Sequence, residues 1–148
     1  MYVSIMLQAF VFNLFNGYLQ GMQLVLGSYS TWACLEWPFM CGVIIFLSGW
    51  AINYHSDDVL RNLRKPGDTG YHIPYGGAFR WVTAANYFGE ILEWSGWALA
   101  TFSLAGTSFA LFTFANIGPR ARSHHQWCLN KFGSAYPKNR TAVIPFLW

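Results

Sequence analysis

WPFMCGVIIFLSGWAINYHSDDVLRNLRKPGDTGY, Trp37 to Tyr71, holds the reading of the fold in one stretch. Its first part, Trp37 to Tyr54, is apolar, carries no formal charge, and reads as a membrane-spanning helix. Pro38 falls in the first turn, where a missing backbone N–H breaks no helical bond. Its second part, from His55, collects charge, then glycine and proline, and opens a polar segment that runs to Arg80.

The whole chain supports a membrane setting. It has 148 residues, enough for one domain over 1–148, with 54% hydrophobic, 20% aromatic and only 10% charged residues. A soluble domain usually carries about 25% charged residues. Trp and Tyr also favour bilayer interfaces. Cys34, Cys41 and Cys128 form no CxxC pair, so neither a disulfide framework nor a zinc site is indicated. A net charge of +3 gives no reason to expect nucleic acid.

Outward from Trp37–Tyr54, the apolar segments predict an all-α integral membrane fold of about four transmembrane helices. Met1 to Leu26 is the first, without the basic start or small-residue cleavage site of a signal peptide. Trp81 to about Ser103 is the third, interrupted by Asn86, Glu90 and Glu93. A tight turn at Leu104–Gly106 leads to a fourth from Thr107 to Ile117, bent or broken at Gly118-Pro119. A polar helix continues from Arg120 and stops at Tyr136-Pro137, and the closing VIPFLW is apolar enough to lie against the membrane. All nine basic residues fall in the middle polar segment or the tail, so both regions are expected on the cytosolic side. The Asn139-Arg140-Thr141 sequon would then face the cytosol, away from glycosylation.

Candidate chemistry clusters in the polar regions. Asn53, Asp57, Arg61 and Arg64 share one helix face at spacings of 4, 4 and 3. Guanidiniums suit phosphate, and a carboxylate or amide suits ribose hydroxyls. A solvated helix end with a local Asp–Arg pair explains the same spacing. Gly67, Gly70, Gly76 and Gly77 permit close backbone approach to a ligand, or simply form a connector, and no GxGxxG is present. Glu90 and Glu93 inside an apolar segment require a polar cavity, a partner or an interfacial position. His124 and His125 point about 100° apart on a helix and make a poor metal pair, so no metal is expected. Arg120 shares a face with His124.

The strings NGYLQ, INYHSD, LRNLRKPGDTGY, IPYGG, TAANYFGEILEW, ALATFS, RARSHHQW, YPKNR and IPFLW run through nearly the whole chain. Together they resemble the steroid 5-alpha-reductase family. The resemblance implies a multi-pass protein of the endoplasmic reticulum membrane that uses NADPH to reduce the 4,5 double bond of 3-oxo-4-ene steroids. It implies a steroid substrate and the lipid bilayer as partners, with no nucleic acid and no metal. It places Asn53, Asp57, Arg64, Tyr71, Asn86, Glu90, Arg120 and His124 at positions that line the NADPH pocket. It matches this chain to the last four of seven helices. The family's catalytic glutamate and tyrosine lie in the earlier helices, so no catalytic residue is assigned here, and the isolated chain is expected to be the cofactor-binding part. Cys128 stands where the family often has tyrosine. Two alternatives remain on these grounds: a membrane methyltransferase resembling the isoprenylcysteine type, which lacks LRKPGDTGY, and a non-catalytic truncated partner of a full-length reductase.

Overall fold

The computed structural model describes residues 3–30, 33–64 and 67–148. Four long helices dominate: α1 (Val3–Leu26), α2 (Trp37–Arg61), α3 (Ala85–Thr101) and α4 (Leu104–Phe132). Short 3-10 turns occupy Ala33–Leu35, Gly77–Arg80 and Gly133–Ala135. Among the described residues α2 is the one helix long and apolar enough, by length and composition, to cross a membrane. The expected four spans therefore appear as four helices of unequal apolar character. Five amides, Gln8, Asn13, Asn16, Gln20 and Gln23, dilute α1. The 17-residue α3 is short and carries two glutamates, and the apolar part of α4 gives way to basic residues after Pro119.

Glycines decide how α2 and α3 pack. Gly42 and Gly49 on α2, and Gly89 and Gly96 on α3, are each seven residues apart and so share a face. All four are buried. A Cβ built at Gly89 would stand 2.5 Å from the Asn53 nitrogen and 2.7 Å from the Gly49 oxygen. One at Gly96 would meet the Gly42 oxygen at 2.7 Å. The two backbones thus run against each other in opposite directions, at a distance that only absent side chains allow.

α1 buries no residue and leaves a long apolar surface open. Its ties to the other helices are both polar and aromatic: Gln20 Nε2 donates to the Ala105 carbonyl at 3.1 Å, Trp97 Nε1 donates to Gln20 Oε1 at 2.9 Å, and Phe12 stacks on Phe109 and Phe112 of α4 at 6.1 and 5.1 Å. Both ends of the Gln20 amide are thereby satisfied away from bulk water.

The turn expected at Leu104–Gly106 lies earlier. Phe102 takes the left-handed conformation at φ +45°, and Ser103 caps α4 by accepting from the Gly106 N–H at 3.0 Å. Nor does Gly118-Pro119 end the fourth helix, because α4 continues through Pro119 to Phe132. Proline removes one helical donor. Burial on either side offsets that loss: Ile117, Gly118 and Ala121 are all buried, and Gly118 lies under the Trp148 ring. The helix ends at Gly133, φ +52°, just ahead of the expected Tyr136-Pro137 stop. Pro66, which would bar any further helix, lies outside the described residues, and α2 has already ended at Arg61.

The densest packing joins two segments far apart in sequence. Thr83 and Ala84 donate backbone N–H groups to the carbonyls of Thr141 and Ala142 at 2.9 and 3.0 Å. Thr141 returns one to Trp81 at 2.9 Å. Around this short parallel pairing lie Phe79, Val82, Ala85 and Val143, each 0–1% exposed. The third apolar segment consequently enters its helix at Ala85 rather than at Trp81. The C-terminal VIPFLW, expected against the membrane, tucks Val143, Ile144 and Trp148 beside Ala84 and Ala121 and leaves Phe146 and Leu147 exposed.

Arg140 pins this tail. It is 5% exposed, donates from Nη2 to the Pro74 carbonyl at 2.9 Å, and stacks over the rings of Tyr75 and Tyr136 at 5.1 and 5.4 Å. Each cation–π contact contributes about 0.5–2 kcal/mol. Arg140→Ala should therefore loosen the tail and lower stability by roughly 2–4 kcal/mol, combining one such contact with a charge-assisted bond. Faster hydrogen exchange confined to residues 136–148 is the expected readout, and unchanged exchange there would contradict the clamp.

Candidate functional site

The end of α2 separates residues that the sequence pattern grouped. Asp57 and Arg61 border one shallow hollow with Tyr54 and Leu60. Arg64 lies three residues past the helix and turns to a different cavity. The expected continuous face of Asn53, Asp57, Arg61 and Arg64 is thus interrupted, because Asn62 caps the helix and its side chain bonds back to Asp58 at 3.0 and 3.1 Å.

The cavity that takes Arg64 has a volume of about 380 Å³. Four parts of the chain build it. The loop after α2 supplies Arg64, Tyr71 and Pro74, the region from Phe79 to Tyr87 supplies Thr83 and Asn86, and the polar half of α4 supplies His124, Trp127 and Cys128. Tyr136 adds the C-terminal side. Four of the eight expected residues therefore meet here: Arg64, Tyr71, Asn86 and His124. The other four do not line it. Asn53 packs its backbone on Gly89, and Glu90 lies within electrostatic reach of Asp57 and Glu93 along the α2–α3 seam. Arg120 is exposed, one turn before His124.

One wall is aromatic. Arg64 sits 5.1 Å over the Tyr71 ring, and Tyr71 meets Trp127 edge-on at 4.9 Å. Trp127 stacks with His124 at 5.9 Å and touches Phe132, which stacks on Tyr136 at 6.2 Å. Flat apolar plates beside a guanidinium and an amide suit a planar heterocycle that carries phosphate. The loop above is braced locally. The Gly70 N–H and the His72 ring hold the Asp68 carboxyl below its ordinary pKa, with Asp68 and His72 2.6 Å apart.

Several lining residues carry no local sequence signal. Thr83 and Tyr136 are buried, and the Tyr136 hydroxyl donates to Thr83 Oγ1 at 2.8 Å. Thr83 Oγ1 also bonds His125 Nδ1. Only the pairing of residues 83 and 141 brings these groups together. Cys128 Sγ lies 3.7 Å from His124 Nε2, and burial pushes its thiol pKa up, so it is a neutral thiol rather than a thiolate.

Desolvation lowers the pKa values of both His124 and His125 from 6.5, and the His124 imidazole further disfavours protonation of His125. The unfolded chain then takes up protons first as pH falls. The stabilisation is present above pH 6.5 and is lost as pH drops through the lowered values. The thermal midpoint should decline between pH 7 and 5 more steeply in the native chain than in a His124→Gln, His125→Gln variant. Parallel declines would show that these imidazoles are not the cause.

A second cavity, about 610 Å³, lies between α1 and α4. Phe12, Phe15, Phe109 and Phe112 line it, with the amides of Asn16 and Gln20. It is apolar with a few polar groups, the usual make-up of a site for a small organic ligand.

The family model described as 3-oxo-5-alpha-steroid 4-dehydrogenase matches residues 1–148. The chain is 53% identical over 146 residues to "3-oxo-5-alpha-steroid 4-dehydrogenase 1" of Macaca fascicularis, covering 95% of this chain and 53% of that protein. Its identity to the Homo sapiens protein of the same description is 52%, over 95% of this chain and 54% of the relative. To "Steroid 5-alpha-reductase DET2" of Gossypium hirsutum it is 48% identical, over 99% of this chain and 57% of the relative. The chain thus spans about half the length of the curated relatives it matches. With a family model matched from end to end, the chain belongs to the 3-oxo-5-alpha-steroid 4-dehydrogenase family.

Proposed function

We propose that this chain is the cofactor-binding portion of an NADPH-dependent reductase that saturates the 4,5 double bond of 3-oxo-4-ene steroids. The carrying observation is the convergence of Arg64, Tyr71, Asn86 and His124 on one aromatic-walled cavity. The donor set fits the cofactor: Arg64 offers a forked donor for phosphate, Asn86 an amide for a carboxamide or a ribose, and His124 with Trp127 a flat surface. Glu90 is one turn beyond Asn86 on α3; from α2, the Asn53 backbone packs on the neighbouring Gly89 and Asp57 lies within electrostatic reach of Glu90. These three extend the polar set along the seam, and Arg120 extends it along α4. Bound NADPH would supply the hydride. The residues' task is to hold it, orient it and keep water out.

The cavity between α1 and α4 is the place for the steroid in this reading. Phe112 and His124 are about 18 Å apart along α4 at 1.5 Å per residue, a separation suited to an extended dinucleotide. The exposed apolar surfaces of α1 and α2 face lipid in a four-span arrangement, in the endoplasmic reticulum membrane. The two basic regions face the cytosol. No residue of this chain is assigned the task of polarising the steroid carbonyl.

The test is NADPH binding to the 148-residue chain in lipid nanodiscs, beside the same chain joined to the N-terminal half of a relative. Weak binding by the first, with 5-alpha-reduced steroid formed by the second, is the expected result. If neither protein binds NADPH, the reading is wrong. Robust turnover by the short chain alone would instead place the polarising groups within these residues.

A further inference from the structure

We infer that Thr83 is a positioning residue for the cavity, acting through a hydrogen-bond chain of fixed polarity from Tyr136 through Thr83 to His125. The inference rests on the cofactor reading for its functional consequence, but the chain itself is visible without it. Thr83 is 4% exposed and Tyr136 2% exposed. The Tyr136 hydroxyl donates to Thr83 Oγ1 at 2.8 Å. A threonine hydroxyl has one proton. With Tyr136 donating to it, that proton is directed at His125 Nδ1, the other partner of Thr83 Oγ1 among the described residues. His125 Nδ1 is then an acceptor, and the ring is neutral with its proton on Nε2.

The consequence is mechanical. The backbone of Thr83 is fixed to Thr141, so its hydroxyl is a stationary point on the cavity floor. Gripping His125 from that point sets the rotation of the polar half of α4. The same rotation presents His124 and Trp127, its neighbours, to the cavity. The Tyr136 ring also meets the His125 ring edge-on at 6.0 Å, which limits the ring's tilt. Protonating His125 would turn Nδ1 from acceptor to donor and reverse the chain. The groups that bear on this change are His124 on the same helix, Tyr136 against the ring, and Cys128 and Arg140 beyond Tyr136. The withdrawal of His125 from water, with His124 beside it, favours the neutral form.

The test compares Thr83→Val, which keeps the shape and removes the hydroxyl, with Thr83→Ser, which keeps the hydroxyl. Nitrogen-15 spectra of the histidine rings in cofactor-free protein should show the Nε2–H tautomer for His125 in the native chain and in Thr83→Ser. Thr83→Val should lose that preference and weaken NADPH binding by about tenfold. Native binding should also fall as His125 protonates, and Thr83→Val should blunt that pH step. An unaltered His125 signature in Thr83→Val, or a Thr83→Ser variant that behaves like valine, would overturn the inference. A native chain that shows the Nε2–H tautomer and its loss in Thr83→Val, yet binds no NADPH even when joined to a relative's N-terminal half, supports the relay and rejects the cofactor reading.

Discussion

Gly89→Leu should separate α3 from α2 and abolish cooperative thermal unfolding. The obstacle is backbone: even a Cβ at residue 89 meets the Asn53 nitrogen at 2.5 Å and the Gly49 oxygen at 2.7 Å. A flexible side chain could rotate aside, but two helical backbones can only move apart. Gly89→Ala alone should cost roughly 1–3 kcal/mol, the usual range for overpacking a well-filled contact, and leucine should exceed it. Gly49→Ala should behave similarly, since its Cβ would meet the Gly89 oxygen at 2.6 Å. The two losses should not add, because they wedge the same contact open. Gly17→Ala on α1 provides the contrast. Nothing lies within 4 Å of that position, so the change should be neutral or stabilise the helix by up to about 1 kcal/mol. Thermal midpoints in detergent measure all four variants. Equal midpoints for Gly17→Ala and Gly89→Ala would mean that the glycine seam does not hold the helices together. Gly89 also lies between Asn86 and Glu90, so a displaced seam should weaken cofactor binding too.

The glycine seam shows where the sequence could and could not be read. The start of α2 at Trp37 follows directly from its apolar run and first-turn proline, and α1 ends at Leu26 where its apolar run ends. Composition identified the helices, but it does not say which faces meet. Gly42, Gly49, Gly89 and Gly96 have a pattern only when two helices are laid side by side. The shift of the third helix start from Trp81 to Ala85 has a similar cause. Residues 82–84 pair with 141–142, some 60 positions away, and nothing local marks either segment as a strand. Pro119 misleads in the opposite direction. Its local rule is sound, but tertiary burial of Ile117, Gly118 and Ala121 outweighs it. Within the cavity, Arg64, Tyr71, Asn86 and His124 stand out in sequence as polar or aromatic groups in informative strings. Thr83 and Tyr136 look ordinary until long-range pairing brings them together.

Arg64→Ala should weaken NADPH binding by roughly 1.5–3 kcal/mol, about 10- to 150-fold in Kd, the loss expected for a charge-assisted hydrogen bond. Arg64 is the cavity's guanidinium, and its ring contact with Tyr71 holds the head in place without neutralising its charge. Such a group can meet phosphate with little loss of side-chain freedom, which makes its removal costly. Arg64→Lys should recover only part of the affinity, since lysine keeps the charge but not the fork or the flat stacking surface. The remaining binding should also depend less on salt once a phosphate contact is gone. Arg61 provides the internal control. It lies three residues earlier but borders the other hollow with Asp57, so Arg61→Ala should change Kd little. Arg120→Ala should fall between these two, because Arg120 is one turn from His124 but outside the cavity. Titrating NADPH into the protein joined to a relative's N-terminal half places all four variants on one scale. If Arg64→Ala binds as tightly as the native residue while Arg61→Ala binds more weakly, the phosphate lies along the Asp57 face, and the cavity beside Tyr71 is not where it is held.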